Sequence, residues 1–207
     1  MNTAISAVAY FVVSVIGLLV VPMLVSAYGL AEFGLIVLVR LLLPTGILGP
    51  FDCGFSETAT QAVARARTDD SWSLAHTQVR QLLAIAAAVG MTLAVCVFLG
   101  AGPLAVLFKV DSAHVDSFTT IVKMTALSLP VLFPSLVVEG IIKGAEAYRA
   151  LRAVEVLAAL AYAAMAAGVV MAGWSYDRVA FGFLLSLLLR AALAFLLGWR
   201  HLRGRPG

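Results

Sequence analysis

Six ionisable side chains fall inside long apolar stretches of this chain: Arg40, Asp52, Glu57, Glu139, Glu155 and Arg190. A charge at the centre of a bilayer costs at least about 2.5–3.5 kcal/mol on insertion scales, so each needs a partner or water. Arg190 is the most informative. It lies twelve residues after Arg178 and ten before Arg200, too deep for its guanidinium to reach either face easily. Its neighbours at spacing four, Gly182, Ser186 and Ala194, make a small, polar stripe that should face other helices or a cavity. Two readings stand for Arg190: a functional group in a cavity, or a structural ion pair with Asp52 or another acid. Arg40 lies seven residues past Phe33, about 10 Å below one surface, where substrate binding and snorkelling both account for it. Lys123 is shallower and has the same two readings.

The polar residues form stripes. Asp52, Ser56 and Thr60 are spaced by four, and Asp52 precedes Arg65 by thirteen residues, about 20 Å of helix. Glu139 closes the series Thr125, Ser128, Leu132, Ser135 and Glu139, spaced 3, 4, 3 and 4. Ser6, Tyr10, Ser14 and Gly17 make a third stripe near the N-terminus. Stripes of this kind face protein or water rather than lipid. Together with the two deep arginines they point to a shared hydrophilic interior; ordinary hydrogen bonding between helices is the alternative for each. Arg40, Arg190 and Lys123 are therefore the candidate substrate-binding residues. Asp52, Glu139, Ser128 and Ser135 are the candidate cavity-lining or coupling residues. Glu57 and Glu155 lie nearer the ends of their stretches and read as structural, satisfied by Arg80 or Arg152.

Enzyme chemistry has no signature here. There is no HExxH, GxSxG or P-loop, and Gly54-Phe55-Ser56-Glu57 lacks the second glycine of a nucleophile elbow. His76, His114 and His201 are far apart in sequence and suggest neither a metal site nor a cofactor. Cys53 and Cys96 read as buried small hydrophobes within helices, with no disulfide framework.

The elements that must position these residues follow from composition. Of 207 residues 62% are hydrophobic and only 12% charged, half the usual charged share, so lipid must be the solvent for most of the exterior. The apolar runs are about 20 residues long without period-two alternation, which selects helices over a barrel. The expected fold is an all-α, polytopic membrane protein, a single unit over 1–207. About six transmembrane helices are expected, at about 4–27, 33–64, 80–102, 118–142, 152–173 and 178–200. As one straight helix the second would run about 48 Å. It holds Pro44, Gly46, Gly49, Pro50 and Gly54, so it must kink, tilt or extend beyond the membrane. Pro130 and Pro134 interrupt the fourth. The stretch from Pro103 through Asp111 to Asp116 looks partly amphipathic.

Basic residues orient the array. One set of loops and ends holds Arg65, Arg67, Arg80, Lys143, Arg149, Arg152, Arg200, Arg203 and Arg205; the opposite set holds Lys109 and Arg178. The positive-inside rule then puts both termini in the cytoplasm. Met1-Asn2-Thr3 lacks the positive charge a signal peptide wants, although Val25-Ser26-Ala27 could imitate a cleavage site. Trp72, Trp174, Trp199, Tyr28, Tyr148 and Tyr176 fall at span ends, as an aromatic belt would. The net charge of +3 does not indicate nucleic acid, because the basic residues are spread over loops rather than gathered on one face with aromatics.

Three stretches resemble a known group. Tyr28-Gly29-Leu30-Ala31-Glu32-Phe33-Gly34 looks like the turn between the first two helices of O-antigen and polysaccharide flippases of the multidrug/oligosaccharidyl-lipid/polysaccharide exporter superfamily. Phe51-Asp52-Cys53-Gly54-Phe55 through Ala64-Arg65 resembles the family's D-x-G stretch, and Ile142 to Tyr148 the end of its fourth helix. The order and spacing of the spans resemble its N-terminal part along essentially the whole chain. The resemblance implies one lobe of a MATE-like transporter that moves undecaprenyl-diphosphate-linked sugars across the bacterial inner membrane for cell-surface polysaccharide or lipopolysaccharide biosynthesis. It implies cationic residues in a central cavity that hold the diphosphate, a role Arg40 and Arg190 fit by chemistry. Gln61 departs from it, standing where a basic residue is expected. So does the helix count, since members usually carry two lobes of about six helices each. A partner lobe or self-association is therefore expected, with the chain a truncated product, a split subunit or a homodimeric half. The alternatives are a drug or cation antiporter lobe, whose cavity acids would dominate, a non-transporting membrane interaction protein or gene remnant, and, last, a membrane-embedded enzyme.

Overall fold

A computed structural model of the chain describes residues 2–44 and 46–203, without the side chains of 2–5, 39, 201 and 203. The helices are α1 (Asn2–Tyr28), α2 (Leu30–Leu41), α3 (Phe55–Asp69), α4 (Trp72–Leu99), α5 (Ala101–Leu107), α6 (Val115–Gly144), α7 (Tyr148–Met171) and α8 (Tyr176–Arg203). Short 3-10 turns cover Gly49–Asp52 and Ser112–His114. No strand occurs among the described residues. Among the described residues five helices, α1, α4, α6, α7 and α8, are long and apolar enough to cross a bilayer. The protein is an all-α, multi-pass membrane protein.

The expected second span is broken, and the sequence explains the break. α2 stops at Leu41, and a chain of tight turns follows: Gly46 N–H donates to Leu43 O, Ile47 N–H to Leu41 O, and Gly49 N–H to Gly46 O. Pro44 and Pro50 lack the N–H that a helix interior needs, and each disfavours helix at the residue before it. Cys53 and Gly54 then both adopt left-handed backbone, with φ of +49° and +71°, which a right-handed helix cannot pass through. α3 restarts at Phe55 as an amphipathic helix, its buried face Phe55, Ser56, Ala59, Ala62, Val63 and Ala66. The other boundaries shift less. The third span starts earlier than expected, at Trp72, because the loop before it is only the turn at Asp70-Ser71, with Asp70 at φ +51°. The stretch after the third span holds α5 and the second 3-10 turn.

α6 is the centre of the bundle. Two thirds (67%) of its most apolar window is buried in protein, against 39% or less in the other four. It packs on α4, α3 and α8, while α7 packs on α1 and α8. Close approach to α3 depends on Gly140 and Gly144, spaced four apart on one face. A Cβ on Gly140 would sit 2.3 Å from Ser56 O, and one on Gly144 2.7 Å from Thr60 O. This is the small-xxx-small packing typical of membrane helices. Enclosure also lets α6 keep Pro130 and Pro134 inside its length, since carbonyls freed by proline meet protein rather than lipid.

Contacts between turns identify two ends. At one, Arg67 pairs with Glu146 at 3.3 Å and His76 Nε2 lies 3.2 Å from Leu202 O. At the other, the Tyr28 hydroxyl donates to Trp174 O at 2.8 Å and Ser117 to Asp177 at 3.4 Å. The first end carries Arg65, Arg67, Arg80, Lys143, Arg149, Arg152 and Arg200; the second carries Lys109 and Arg178. The partition of basic residues read from sequence is therefore reproduced for these positions; Arg205 and the Arg203 side chain lie outside the described residues. The aromatic belt holds at Trp174 and Trp199, which are exposed, but Trp72 is buried at 6% exposure and belongs to the core. Cys53 and Cys96 are exposed, not buried: Cys53 falls in the break before α3, and Cys96 on an outward face of α4.

Candidate functional site

Charged side chains from four helices converge between α1, α2, α7 and α8. Arg190, halfway along α8, places Nη2 2.7 Å from Glu139 Oε1 of α6 and 3.7 Å from Glu155 Oε1 of α7. Glu155 also accepts from Arg152 Nη1 at 2.5 Å, and the Arg152 guanidinium lies 4.3 Å from the centroid of the Tyr10 ring on α1. The result is a chain of alternating charge, Arg152–Glu155–Arg190–Glu139, that crosses three helices. Each carboxylate is shared or directly paired, which is what a low-dielectric interior requires of a charge.

Arg40 is held differently. It lies in the last turn of α2 and packs its guanidinium 4.2 Å from the Phe183 ring centroid and 5.3 Å from that of Tyr162. The two rings meet edge to face at 5.3 Å. Cation–π attraction satisfies part of the charge. No carboxylate pairs with Arg40 among the described residues. Its Nε, the Tyr162 hydroxyl and the Nε atoms of Arg152 and Arg190 are buried without a hydrogen-bond partner.

Of these groups Arg40, Glu155 and Arg190 line an open cavity of about 370 Å³, with Tyr10, Tyr162 and Ser186 also in its walls. A smaller space of about 90 Å³ lies beside it, against Ser135, Glu139 and Arg190, so Arg190 stands in the wall between the two. With side-chain exposures of 30% for Arg190, 13% for Glu139 and 19% for Glu155, the network is not sealed. The larger cavity itself is lined by two guanidiniums, Arg40 and Arg190, and one carboxylate, Glu155, and the Nε donors of both arginines are unused. Such an arrangement can hold an anion; phosphate and carboxylate groups match the planar guanidinium donor set.

Arg40, Arg190, Glu139 and Ser135 thus come together as the stripes suggested, but not every candidate joins them. Arg190 meets Glu139, not Asp52, because the break before α3 carries Asp52 onto a 3-10 turn that lines neither cavity. Ser56 and Thr60 serve the α3–α6 contact: Lys143 Nζ donates to Ser56 Oγ at 2.9 Å, and Thr60 Oγ1 to Ser56 O and Gly140 O. Thr125 and Ser128 are buried and bond to carbonyls one turn back, so they are packing residues. Ser135 also donates to its own helix, at Leu132 O, yet borders the smaller space. Lys123 is exposed, 5.7 Å from the Phe98 ring centroid, and lines neither cavity. Tyr10 and Gly17 reach the larger cavity, whereas Ser14 is exposed. Glu155 does pair with Arg152, but it is also the link to Arg190. Glu57 is exposed and makes no ion pair with Arg80 among the described residues.

Sequence reasoning missed the aromatic cage of Arg40. A signal was present: Arg152, Glu155, Ala159 and Tyr162 run at spacings 3, 4 and 3 along α7, a fourth mixed polar and aromatic stripe. Among the described residues no cluster of histidine, cysteine and carboxylate side chains could hold a metal. Comparison of the chain with protein-family models, with curated proteins and with solved structures finds no match.

Proposed function

We propose that the chain is one lobe of a transporter that moves a lipid-linked oligosaccharide across a bacterial inner membrane for cell-surface polysaccharide synthesis, with both termini in the cytoplasm. The observation that carries this reading is Arg40: a guanidinium with no acid partner among the described residues, caged by Tyr162 and Phe183 and facing an open cavity beside Arg190. A diphosphate between lipid and sugar is an anion of suitable chemistry for that cavity. The break after α2 supports transport in another way. Irregular backbone at membrane depth is tolerated only against protein or a wet cavity, and the break between α2 and α3 exposes Ile47 and Phe51 at 55% and 47%. A second lobe, supplied by another copy or another chain, would cover this break and enclose the cavity.

A drug or cation antiporter of the same superfamily is the second reading, favoured by Glu139 and Glu155 in the cavity wall. Both acids are already engaged by arginines, which leaves little negative field for a cationic cargo. Transport by the purified chain in liposomes, with its mass determined in detergent, tests the lobe assignment. The expected result is no translocation by a monomer. A monodisperse monomer that moves a lipid-linked sugar would overturn it.

A further inference from the structure

We propose that a groove between α1 and α7 at the arginine-rich end holds an anionic phospholipid of the bilayer, with an acyl chain along the helices and the phosphate at Arg149 and Arg152. The groove has a volume of about 650 Å³ and is floored by Val8, Val12, Ala153, Val156 and Leu157, with the two arginines at its mouth. From Arg149 to Leu157 the helix rises about 12 Å, close to half of a hydrocarbon core about 30 Å thick. The groove is thus about one leaflet deep, apolar at acyl depth and cationic at headgroup depth. Val8 and Leu157 are exposed at 63% and 54%, so it opens sideways to lipid.

Charge selects the headgroup. No carboxylate lines the groove among the described residues. Arg152 is neutralised in part by Glu155 and stacks on Tyr10. Arg149 is exposed and pairs with no acid among the described residues. The mouth therefore keeps a positive charge. α7 begins after Ala147, which supplies no side-chain cap, so the first amides of the helix add to the field that favours an anion. Basic pockets between membrane helices suit anionic headgroups. A second copy of the chain suits the groove poorly, because a two-fold contact there would bring Arg149 toward its own counterpart. The groove shares Arg152 with the charged network but none of the residues that line the larger cavity, so it stands whether or not the transport reading does.

Native mass spectrometry of the delipidated chain, offered phosphatidylglycerol or phosphatidylcholine with the same acyl chains, tests the proposal. One phosphatidylglycerol should be retained preferentially. Arg149→Gln should weaken that retention about fivefold, the effect of roughly one basic residue at a membrane surface, and Arg149→Lys should preserve it. Ala153→Trp should fill the groove and abolish retention, while Arg178→Gln at the other end should change nothing. Equal retention of the two lipids, or undiminished retention in Arg149→Gln, would overturn the proposal. So would displacement of phosphatidylglycerol by an equimolar prenyl diphosphate that Ala153→Trp also excludes, since the groove would then belong to the transported lipid. If Ala153→Trp does not fold, the comparison of Arg149→Gln with Arg149→Lys decides alone.

Discussion

Replacing Arg190 by glutamine removes the 2.7 Å partner of Glu139 and the 3.7 Å neighbour of Glu155. Glu155 keeps Arg152, so the damage falls on Glu139, a carboxylate with 13% side-chain exposure and no other ion pair among the described residues. Breaking a fully buried pair costs about 3–5 kcal/mol. Arg190 is 30% exposed and borders two open spaces, so screening lowers the expected loss to about 2–3 kcal/mol. For a chain of this length that corresponds to roughly 4–12 °C in melting temperature. Adding Glu139→Gln should restore most of the loss, because neutral amides of similar shape replace both charges. Adding Asp52→Asn instead should restore nothing, since Asp52 lies elsewhere. Thermal unfolding in detergent of the wild type, the single variant and the two doubles measures the coupling directly. An Arg190→Gln protein as stable as wild type, or rescue by Asp52→Asn rather than Glu139→Gln, would refute the network described here.

Gly140→Leu should destabilise the chain by about 3 kcal/mol, at the upper end of overpacking costs, because its Cβ would lie 2.3 Å from Ser56 O; Gly168→Leu, where a Cβ meets nothing within 4 Å, should be near neutral in the same melting assay. In a Cys96→Ser background the exposed Cys53 should react with a charged, membrane-impermeant thiol reagent once that reagent reaches the wet side of the break, and protection by a partner lobe would locate the lobe interface; inertness of the isolated chain in detergent would contradict the exposed placement. A reporter active only in the periplasm should work when fused after Asp111, and one active only in the cytoplasm should work after Arg203; periplasmic activity at Arg203 would reverse the orientation.

Elements defined by bulk hydrophobicity were the legible ones. Runs of apolar residues identify α1, α4, α6, α7 and α8 because the bilayer imposes a length on them. The second span shows where that reasoning stops. Its prolines and glycines announced a distortion, but whether a helix kinks or breaks depends on what surrounds the freed backbone groups, and one sequence does not contain that information. Stripe analysis identified Glu139 and Arg190 separately. It could not pair them, because pairing depends on the rotation and height of two helices 51 residues apart in sequence. Asp52 seemed an equally good partner only while 33–64 was treated as a continuous helix. The Gly140-x-x-x-Gly144 spacing stands in the sequence as a signal for close packing that the stripes did not pick out, and nothing in it names α3 as the partner. Arg40 drew attention as a buried charge; its aromatic cage emerged only when α2, α7 and α8 were assembled.

Binding of two opposite ligands to one purified chain tests the central claim, that the cavity accepts an anionic lipid-linked headgroup, most directly. Prenyl diphosphate and a lipophilic organic cation are titrated separately into the wild type and into Arg40→Gln and Glu139→Gln variants. Saturable binding of the diphosphate is expected, weakened at least tenfold by Arg40→Gln through loss of a charge-assisted contact of about 1.5–3 kcal/mol, with no saturable binding of the cation. Saturable cation binding that Glu139→Gln abolishes, with the diphosphate ignored by the wild type, would contradict it.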